Sequence, residues 1–597
     1  MKIYSILISE QNTPYKGQSI NTNNQDLFIM LRTHTCGELR KENEGQEVVL
    51  SGWVQSIRSH GELTFIDLYD RYGITQITVH KNILPETLGK EYVVQIKGSV
   101  MKKPEANKAL KTGEIELKAK SVKILNKSKP MPIDSNATDE MRLKYRYVDI
   151  RKNGVLKNLA FRSDVALSAR DHFRSEGFLE VETPMLVKST PEGARDFVVP
   201  SRINKGNFYA LPQSPQLYKQ ILMIAGVDKY FQVARALRDE DLRADRQPEH
   251  TQFDFEMSFV EQKDVQAFVE RLMKHIFKTT MNITLKDFPV FSYEEAMRRF
   301  GSDKPDIRFD LELNDVSAIG KKSDFTIFKD SETINSLFVE KNYSRKQIDK
   351  FTDLVKTYKA KGLAFAKVEN NSFEGGISKF LSEEIQKEII HEMKLENKSG
   401  TIFFVADKKK ISRLSMGHLR IELAKDLELT DKKDFRFCWV NDFPIFAYND
   451  TEKKWEPEHH MFSMPKAEFV DDFEKRPGEV IGDLWDLVLN GWEMASGSIR
   501  ISNPDVQERI MNFIGLNKEE ANKKFGFLLD AYEYGGPVHG GMGIGLDRLV
   551  ALMLGFSDIR EVISFPKNKN AQCPMDESPN VLDKIQLDEL GIEFKKK

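Results

Sequence analysis

Between residues 47 and 125 apolar and polar side chains alternate in short runs: EVVLSGWV, LTFIDLYD, GITQITVH, EYVVQIKGSV and EIELKAKSVKIL, with Gly, Asn and Pro between them. A period of two over such lengths predicts strands with one buried face, and five in succession predict a small antiparallel barrel. From 155 to 177 apolar positions return at helical spacing, and Gly177 is placed to end that helix. FLEVETPMLVKSTPEGARDFVVP then reads as strand, loop, strand, and 261–299 reads as helix. Between them FQVARALRDEDLRADRQPEHTQFDFE, residues 231–256, joins two strand-like runs across a densely charged connection. Between about 311 and 430 the texture changes to Lys-rich helices, a strand-like TIFFVAD and the turn-marked NNSFEGGIS, which predicts an inserted module. From 434 the strand pattern resumes in FRFCWVNDFPIFAY and closes in GGMGIGLDRLVALMLG.

These patterns divide the chain into an extension (1–30), a barrel (31–133), a linker running into a basic helix (134–154), a second domain in two parts (155–310 and 431–570) around the insertion (311–430), and a tail (571–597). The extension is polar and rich in Asn and Gln, without the order of a signal peptide. Patterned sequence starts at Leu31, so Met30 is a candidate start and the extension is expected to be disordered. The fold class expected is multidomain α+β.

Composition removes several alternatives. The 597 residues are 40% hydrophobic and 30% charged with a formal net charge of −2, so bulk charge does not coat nucleic acid, although a local basic face is compatible. Cys36, Cys438 and Cys573 are far apart and form no CxxC pair, which argues against a disulfide framework or a zinc site and fits a cytoplasmic protein. No run of about 18 apolar residues exists, so no membrane partner is expected. The chain has no GxxxxGK[ST], and GGMGIG lacks the dinucleotide-binding spacing.

Candidate chemistry lies in four places. Arg238 ends the first run of 231–256, where a guanidinium suits bidentate contact to phosphate or carboxylate; an internal Arg–Asp network is the competing reading. Arg548 starts an apolar helix behind glycines that let backbone approach a ligand, or simply pack tightly. Asp486 and Glu493 face one Mg²⁺ if Asp486 ends a helix and Glu493 sits on the following strand; taken singly, each reads as a surface acid. In the barrel, whose strand count is that of an OB-fold, Phe65 is placed to stack on a base and Arg58 and Gln76 to contact base edges or phosphates.

FLEVETPML with Pro184, FQVARALRDED with Arg238 and GIGLDRL with Arg548, in that order, together with STPEGARDF, QSPQLYKQ, RQPEHTQFDFE and HGGMGIGLDR, resemble the class II aminoacyl-tRNA synthetases, and closely those of the bacterial aspartyl type. The resemblance spans about 31 to 575. It implies an OB-fold that binds the tRNA anticodon through Arg58, Phe65 and Gln76, a six-stranded antiparallel catalytic sheet, a GAD-like insertion, and a homodimer through the Pro184 motif. It further implies ATP bound by Arg238, Asp239, Glu240, Gln247, Glu493, Gly545, Leu546, Asp547 and Arg548, and Mg²⁺ held by Asp486 and Glu493. L-aspartate would be held by Glu192, Gln216, Lys219, Arg238, Asp254, His459 and Arg500, and Arg238 and Arg548 would carry catalysis. Asp547 stands where the general class has Glu, as aspartyl enzymes commonly do, and GWEMASGSIR departs from a Gly-rich GGGS. The activity implied is two-step aspartylation of tRNA-Asp through an aspartyl-adenylate. Asparaginyl or lysyl enzymes lack the insertion, a non-enzymatic paralogue is expected to lose Arg238 or Arg548, and a nucleotidyltransferase of another fold would lack the barrel.

Overall fold

In a computed structural model of the protein, residues 31–190 and 194–595 are described; the extension 1–30 and Glu192 lie outside them. The chain divides into two compact units between Asp134 and Ser135.

In the first unit the five alternating runs form strands Glu47–His60, Leu63–Asp70, Gly73–His80, Val93–Lys102 and Ile115–Asn126, closed into a barrel. Alternate residues such as Val48, Leu50, Ile66, Leu68, Ile77 and Val79 fill its interior. All pairings are antiparallel except that of Gly73–His80 with Ile115–Asn126.

The second unit is built on an eight-stranded sheet in the order Val290–Ser292, Phe437–Asn441, Leu484–Leu489, Trp492–Ile499, His539–Gly545, Glu249–Ser258, Lys229–Leu237 and Leu179–Glu180. The six central strands are antiparallel, as expected. A short parallel strand at each edge adds two. One face is covered by helices Val155–Ser175, Gln262–Met281 and Leu546–Met553, whose apolar stripes meet Phe253, Phe255 and Trp485 in one core. The first of these helices ends as its sequence requires, with Gly177 at φ 84 just beyond it. The region 261–299 is not one helix: Asn282 turns the chain at φ 56, the edge strand Val290–Ser292 follows, and a second helix runs Tyr293–Phe300.

Within the stretch expected as linker, two short helices, Asp139–Lys144 and Arg146–Lys152, are anchored to the second unit. Arg146, only 3% exposed, donates to the carbonyls of Arg560, Ile563 and Ser564 at 2.8, 2.9 and 3.0 Å. Arg142 forks onto Glu561 at 2.8 and 2.9 Å. A buried guanidinium needs such partners, so this segment is part of the fold. Residues 314–407 carry a separate five-stranded sheet, in the order Asn314–Asp315, Thr333–Val339, Gly400–Asp407, Ala364–Glu369 and Ser372–Glu374, with apolar clusters of its own. Among the described residues no helix is long and apolar enough to cross a membrane, and all three cysteines are free and buried.

Candidate active site

The charged stretch 231–256 is a hairpin: Lys229–Leu237 pairs with Glu249–Ser258, from Met257 opposite Lys229 to Glu249 opposite Leu237. Period two sends Phe253 and Phe255 into the helix-covered core, so Gln252, Asp254 and Glu256 share the opposite face. Residues of that face and of the connection 238–248 line a cavity of about 400 Å³. The glycines of His539–Gly545 form the next strand, with Gly541 opposite Glu256 and Gly543 opposite Asp254. A Cβ on Gly541 would lie 2.1 Å from the Phe255 carbonyl and 2.4 Å from Glu256 Oε2. The glycine run therefore gives the carboxylates room.

Lys219, from helix Gln216–Ile224, and Arg500 converge on these acids. Lys219 Nζ lies 3.2 Å from Asp254 Oδ1 and 3.1 Å from Glu256 Oε2. Arg500 donates from Nε and Nη2 to Glu256 at 2.8 and 3.2 Å, from Nη2 to the Gly541 carbonyl at 3.1 Å, and from Nη1 to Ser498 Oγ at 2.7 Å. All four charged groups are at most 5% exposed. Burial pushes the Asp254 carboxyl up to about 6 despite Lys219. Burial acts on Glu256 too, but Arg500 and then Lys219 outweigh it and hold this carboxyl down at about 2. Arg500, expected to hold aspartate, lines the cavity, but most of its fork is occupied by Glu256. Sequence reasoning missed Glu256, whose only signal is its period-two spacing from Asp254. Gln216 also lines the cavity, with its buried Nε2 lacking a hydrogen-bond partner.

Arg238 and Arg548 line the same cavity. Arg548 is braced by the Glu493 carbonyl at 3.0 Å and by Asp245 at 3.3 Å. Arg238 gives only Nε, at 3.4 Å to the Gln213 carbonyl, so its two Nη groups have no hydrogen-bond partner among the described residues. Burial lowers the Arg238 pKa, and burial together with Arg238 and Arg548 drives that of His250 down to about 3. Two arginines on one wall of the cavity give it positive charge of the kind an oligophosphate neutralises. His459 and His460 also border the cavity, and burial lowers the His459 pKa.

Several sequence-derived assignments fall elsewhere. Asp239 is exposed, lies 3.8 Å from Arg195 and is not among the residues lining the cavity. Leu546 is buried in the helix-covered core. Gln247 lines the cavity, but its amide is clamped to the backbone of Lys567 at 3.2 and 2.8 Å. Asp547 and Glu240 do line the cavity, but Asp547 ties Arg162 at 2.5 Å to the Thr251 amide at 2.8 Å, and Glu240 accepts from Arg246 at 2.9 Å. Gly545 remains on the cavity wall, with Ala495 and Ser496 of the departing GWEMASGSIR segment.

A family model described as tRNA synthetases class II (D, K and N) matches residues 138–569, and one described as an OB-fold nucleic acid binding domain matches 48–125. The chain belongs to the class II tRNA synthetases (D, K and N). It is 47% identical over 588 residues to an aspartate–tRNA(Asp/Asn) ligase of Treponema denticola, covering 95% of this chain and 99% of that protein. It is 46% identical over 592 residues to an aspartate–tRNA ligase of Clostridium novyi, covering 96% and 99%. A solved asparaginyl-tRNA synthetase from Pyrococcus horikoshii, complexed with asparaginyl-adenylate, shares the fold at a TM-score of 0.57 and 20% identity, over 90% of this chain and 98% of that one.

In this synthetase the carboxylate pair is arranged differently from the expectation. Asp486 does not end a helix; it sits within strand Leu484–Leu489, opposite Ser496, and Glu493 is on the neighbouring strand beyond a bulge. Glu493 reaches the cavity, whereas Asp486 is 3% exposed and not among its lining residues. Burial, then the charge of Glu493, raises the Asp486 pKa well above the carboxylate range, and its Oδ1 has no hydrogen-bond partner. An orphaned buried oxygen beside a second carboxylate fits a hard divalent cation. Among the described residues no group of three or more His, Cys, Asp or Glu could hold a metal, so phosphate and water would complete the coordination.

On the synthetase's barrel, Phe65 is half-buried on the outer face, opposite Arg58 on one side and Thr78 on the other. Arg58 is held by Asp67 at 2.7 and 3.0 Å, and Gln76 bridges Glu116 and Lys103, each at 3.1 Å. Sequence reasoning missed this surrounding ion network because its members lie up to 40 residues apart.

Proposed function

We propose that this synthetase is an aspartate–tRNA ligase that uses ATP, with Mg²⁺, in the cytoplasm. The observation that carries the reading is a pair of buried cations, Lys219 and Arg500, in one cavity with two further arginines, Arg238 and Arg548. An oxygen of the aspartate α-carboxylate attacks the ATP α-phosphorus, a P–O bond forms, and pyrophosphate leaves. The terminal ribose hydroxyl of tRNA then attacks the adenylate carbonyl and AMP departs. No side-chain nucleophile takes part, so catalysis is positioning and charge neutralisation. Arg238, with open Nη groups, holds the reacting phosphate, and Arg548, braced from behind, takes the far phosphates. Bound Mg²⁺, held by Glu493 and Asp486, would supply further neutralisation of phosphate charge.

Aspartate and asparagine have nearly the same size, so charge must separate them. Arg500 is pinned by Glu256 with one N–H of Nη1 left for the ligand, and Lys219 stands beside Asp254. An amide brings no charge to the remaining Arg500 N–H and the Lys219 ammonium, so it gains less there than a carboxylate, and a lysine side chain would be repelled. Discrimination of about 10⁴-fold against asparagine is the expected scale. Gln216 Nε2 is the unmet donor for the remaining substrate groups, with His459 closing the site. The barrel reads the anticodon of tRNA-Asp through Phe65, Arg58 and Gln76. Names among the relatives include both tRNA(Asp/Asn) and tRNA alone, so charging of tRNA-Asn is decided by assay with both purified tRNAs. Residues 311–430 form a GAD-like module. Around Pro184, Leu179, Met185 and Leu186 are 56, 41 and 52% exposed, an apolar patch suited to a homodimer.

Pyrophosphate exchange with aspartate, asparagine and lysine tests the assignment. Aspartate alone should support it, and Arg500→Leu should abolish most exchange while ATP affinity persists. A folded variant that still activates aspartate at near wild-type efficiency overturns it.

A further inference from the structure

Lys304 belongs to a turn, GSDKPDIR at 301–308, that no role has yet claimed. Its ammonium lies 2.9 Å from Glu493 Oε2 and 3.6 Å from Asp303 Oδ2. It is also among the charges felt by Asp486. The Lys304 and Glu493 side chains are 37 and 31% exposed, so the pair borders open space rather than being sealed in. A positive charge therefore already sits on the carboxylate that faces the cavity.

The turn that carries it is fastened to the inserted module. Gly301 lies at φ 64, and a Cβ on it would be 2.2 Å from the Arg413 carbonyl of helix Lys409–Asp426. A Cβ on Gly417 of that helix would lie 2.3 Å from the Gly301 carbonyl. Arg420 of the same helix donates to the carbonyls of Asp306 and Phe309 at 2.8 and 3.1 Å, and to that of Leu311. The other side of the turn meets the hairpin that bears Asp486 and Glu493: a Cβ on its Gly491 would lie 3.3 Å from Asp306 Cβ. Backbone clamped on two sides leaves only the Lys304 side chain free to move.

We infer that Lys304 is a resident counter-ion at the Glu493–Asp486 pair, one that a divalent cation must displace, so that the metal is accepted with the nucleotide rather than as a free ion. The inference rests on the metal assignment proposed above. The two carboxylates stand on adjacent strands, and a cation beside Glu493 offsets the negative charge gathered there. An ion pair open to solvent is weak enough to give way. When a nucleotide arrives, its phosphates offer the displaced ammonium a new partner, and a free metal ion brings no such compensation. The inserted module thereby takes part in the charge balance of the site.

The test is Mn²⁺ binding by the full-length protein without ATP, read by electron paramagnetic resonance of the free ion. Lys304→Met should bind Mn²⁺ roughly five- to tenfold more tightly than wild type, because a repelling charge at contact distance has gone. Lys304→Arg should behave like wild type. A merely structural lysine would give the opposite sign, since its loss would loosen the site. Mn²⁺ binding by Lys304→Met that is equal to or weaker than wild type overturns the inference. Adding Glu493→Gln to Lys304→Met separates the two claims. If it removes the bound ion, the metal assignment stands and only the comparison of Lys304 variants decides. If it leaves Mn²⁺ binding intact, the ion is not at Glu493 and both fall.

Discussion

Replacing Glu256 with Gln puts the buried charge cluster to the test. The carboxylate is fully buried, and it receives two hydrogen bonds from Arg500 and the ammonium of Lys219 at 3.1 Å. Its pKa stands at about 2 against an ordinary 4.5, and a shift of that size corresponds to about 3 kcal/mol of folding stability. Removing one partner of a buried ion pair costs about 3–5 kcal/mol by a separate line of reasoning. Asp254 works in the opposite direction: burial lifts it from 3.8 to about 6, so it favours folding only at low pH, and that contribution is lost as pH rises through about 6. Because Glu256 is one of the charges raising Asp254, its removal also relieves Asp254. The expected net loss is therefore at the lower end, about 3 kcal/mol.

The sign sets the pH window. A carboxylate with a depressed folded pKa contributes stability that is fully present above its unfolded value and lost as pH falls through the folded one. Between about pH 8 and about pH 5 Glu256's own contribution should thus stay constant, while the offset from Asp254, which is ionised only above about 6, fades toward pH 5, so the measured loss should not shrink there. Urea unfolding of wild type and Glu256→Gln at both ends of that range, followed by fluorescence of the buried Trp439 and Trp485 among the other tryptophans, measures it. A difference under about 1 kcal/mol, or one that disappears by about pH 5, would refute the argument that Glu256 is an ionised anchor for both cations.

Phe65→Ala should cost about 1–3 kcal/mol of tRNA binding, measured by filter retention, with tRNA-independent pyrophosphate exchange unchanged. Equal damage to both would make Phe65 a packing residue. Gly541→Ala should lower thermal stability sharply and reduce soluble yield, because its methyl would press on the Phe255 carbonyl at 2.1 Å, and backbone cannot swing away. A melting temperature within a degree or two of wild type would show that the two strands separate more easily than their register implies.

Much of the fold was legible because its periodicities are strong. The barrel strands alternate cleanly, with Val48, Leu50 and Val54 inward, and the hairpin at 229–258 is delimited by its own charged connection. Asp486 was misread for a physical reason. LWDLVL is buried along its whole length, so it has no alternation, and a short apolar run is compatible with helix or strand. The edge strand Val290–Ser292 was lost inside an apparent helix because three residues carry too little pattern. Lys304 gave no signal: its turn reads as an ordinary Gly-Ser-Asp-Pro breaker, and its partner Glu493 is distant in sequence.

The site was legible in residue type and illegible in partnership. Motif resemblance marks Arg500, Gln247 and Asp547 as near the substrates, but whether a side chain meets a ligand depends on what else claims its hydrogen bonds. Arg500 and Glu256 lie 244 residues apart, and no local pattern announces that the guanidinium is already satisfied on one edge. Gln247 is likewise claimed by Lys567, and Asp547 by Arg162 and Thr251, so these residues act by fixing strands and loops around the cavity. The groups whose bonding capacity is unspent, the Nη groups of Arg238, Nε2 of Gln216 and Oδ1 of Asp486, are the ones a ligand or ion would complete. At the cavity and the carboxylate pair these open atoms point to ligand contacts more directly than motif membership does, because motif membership does not show which bonds are already made.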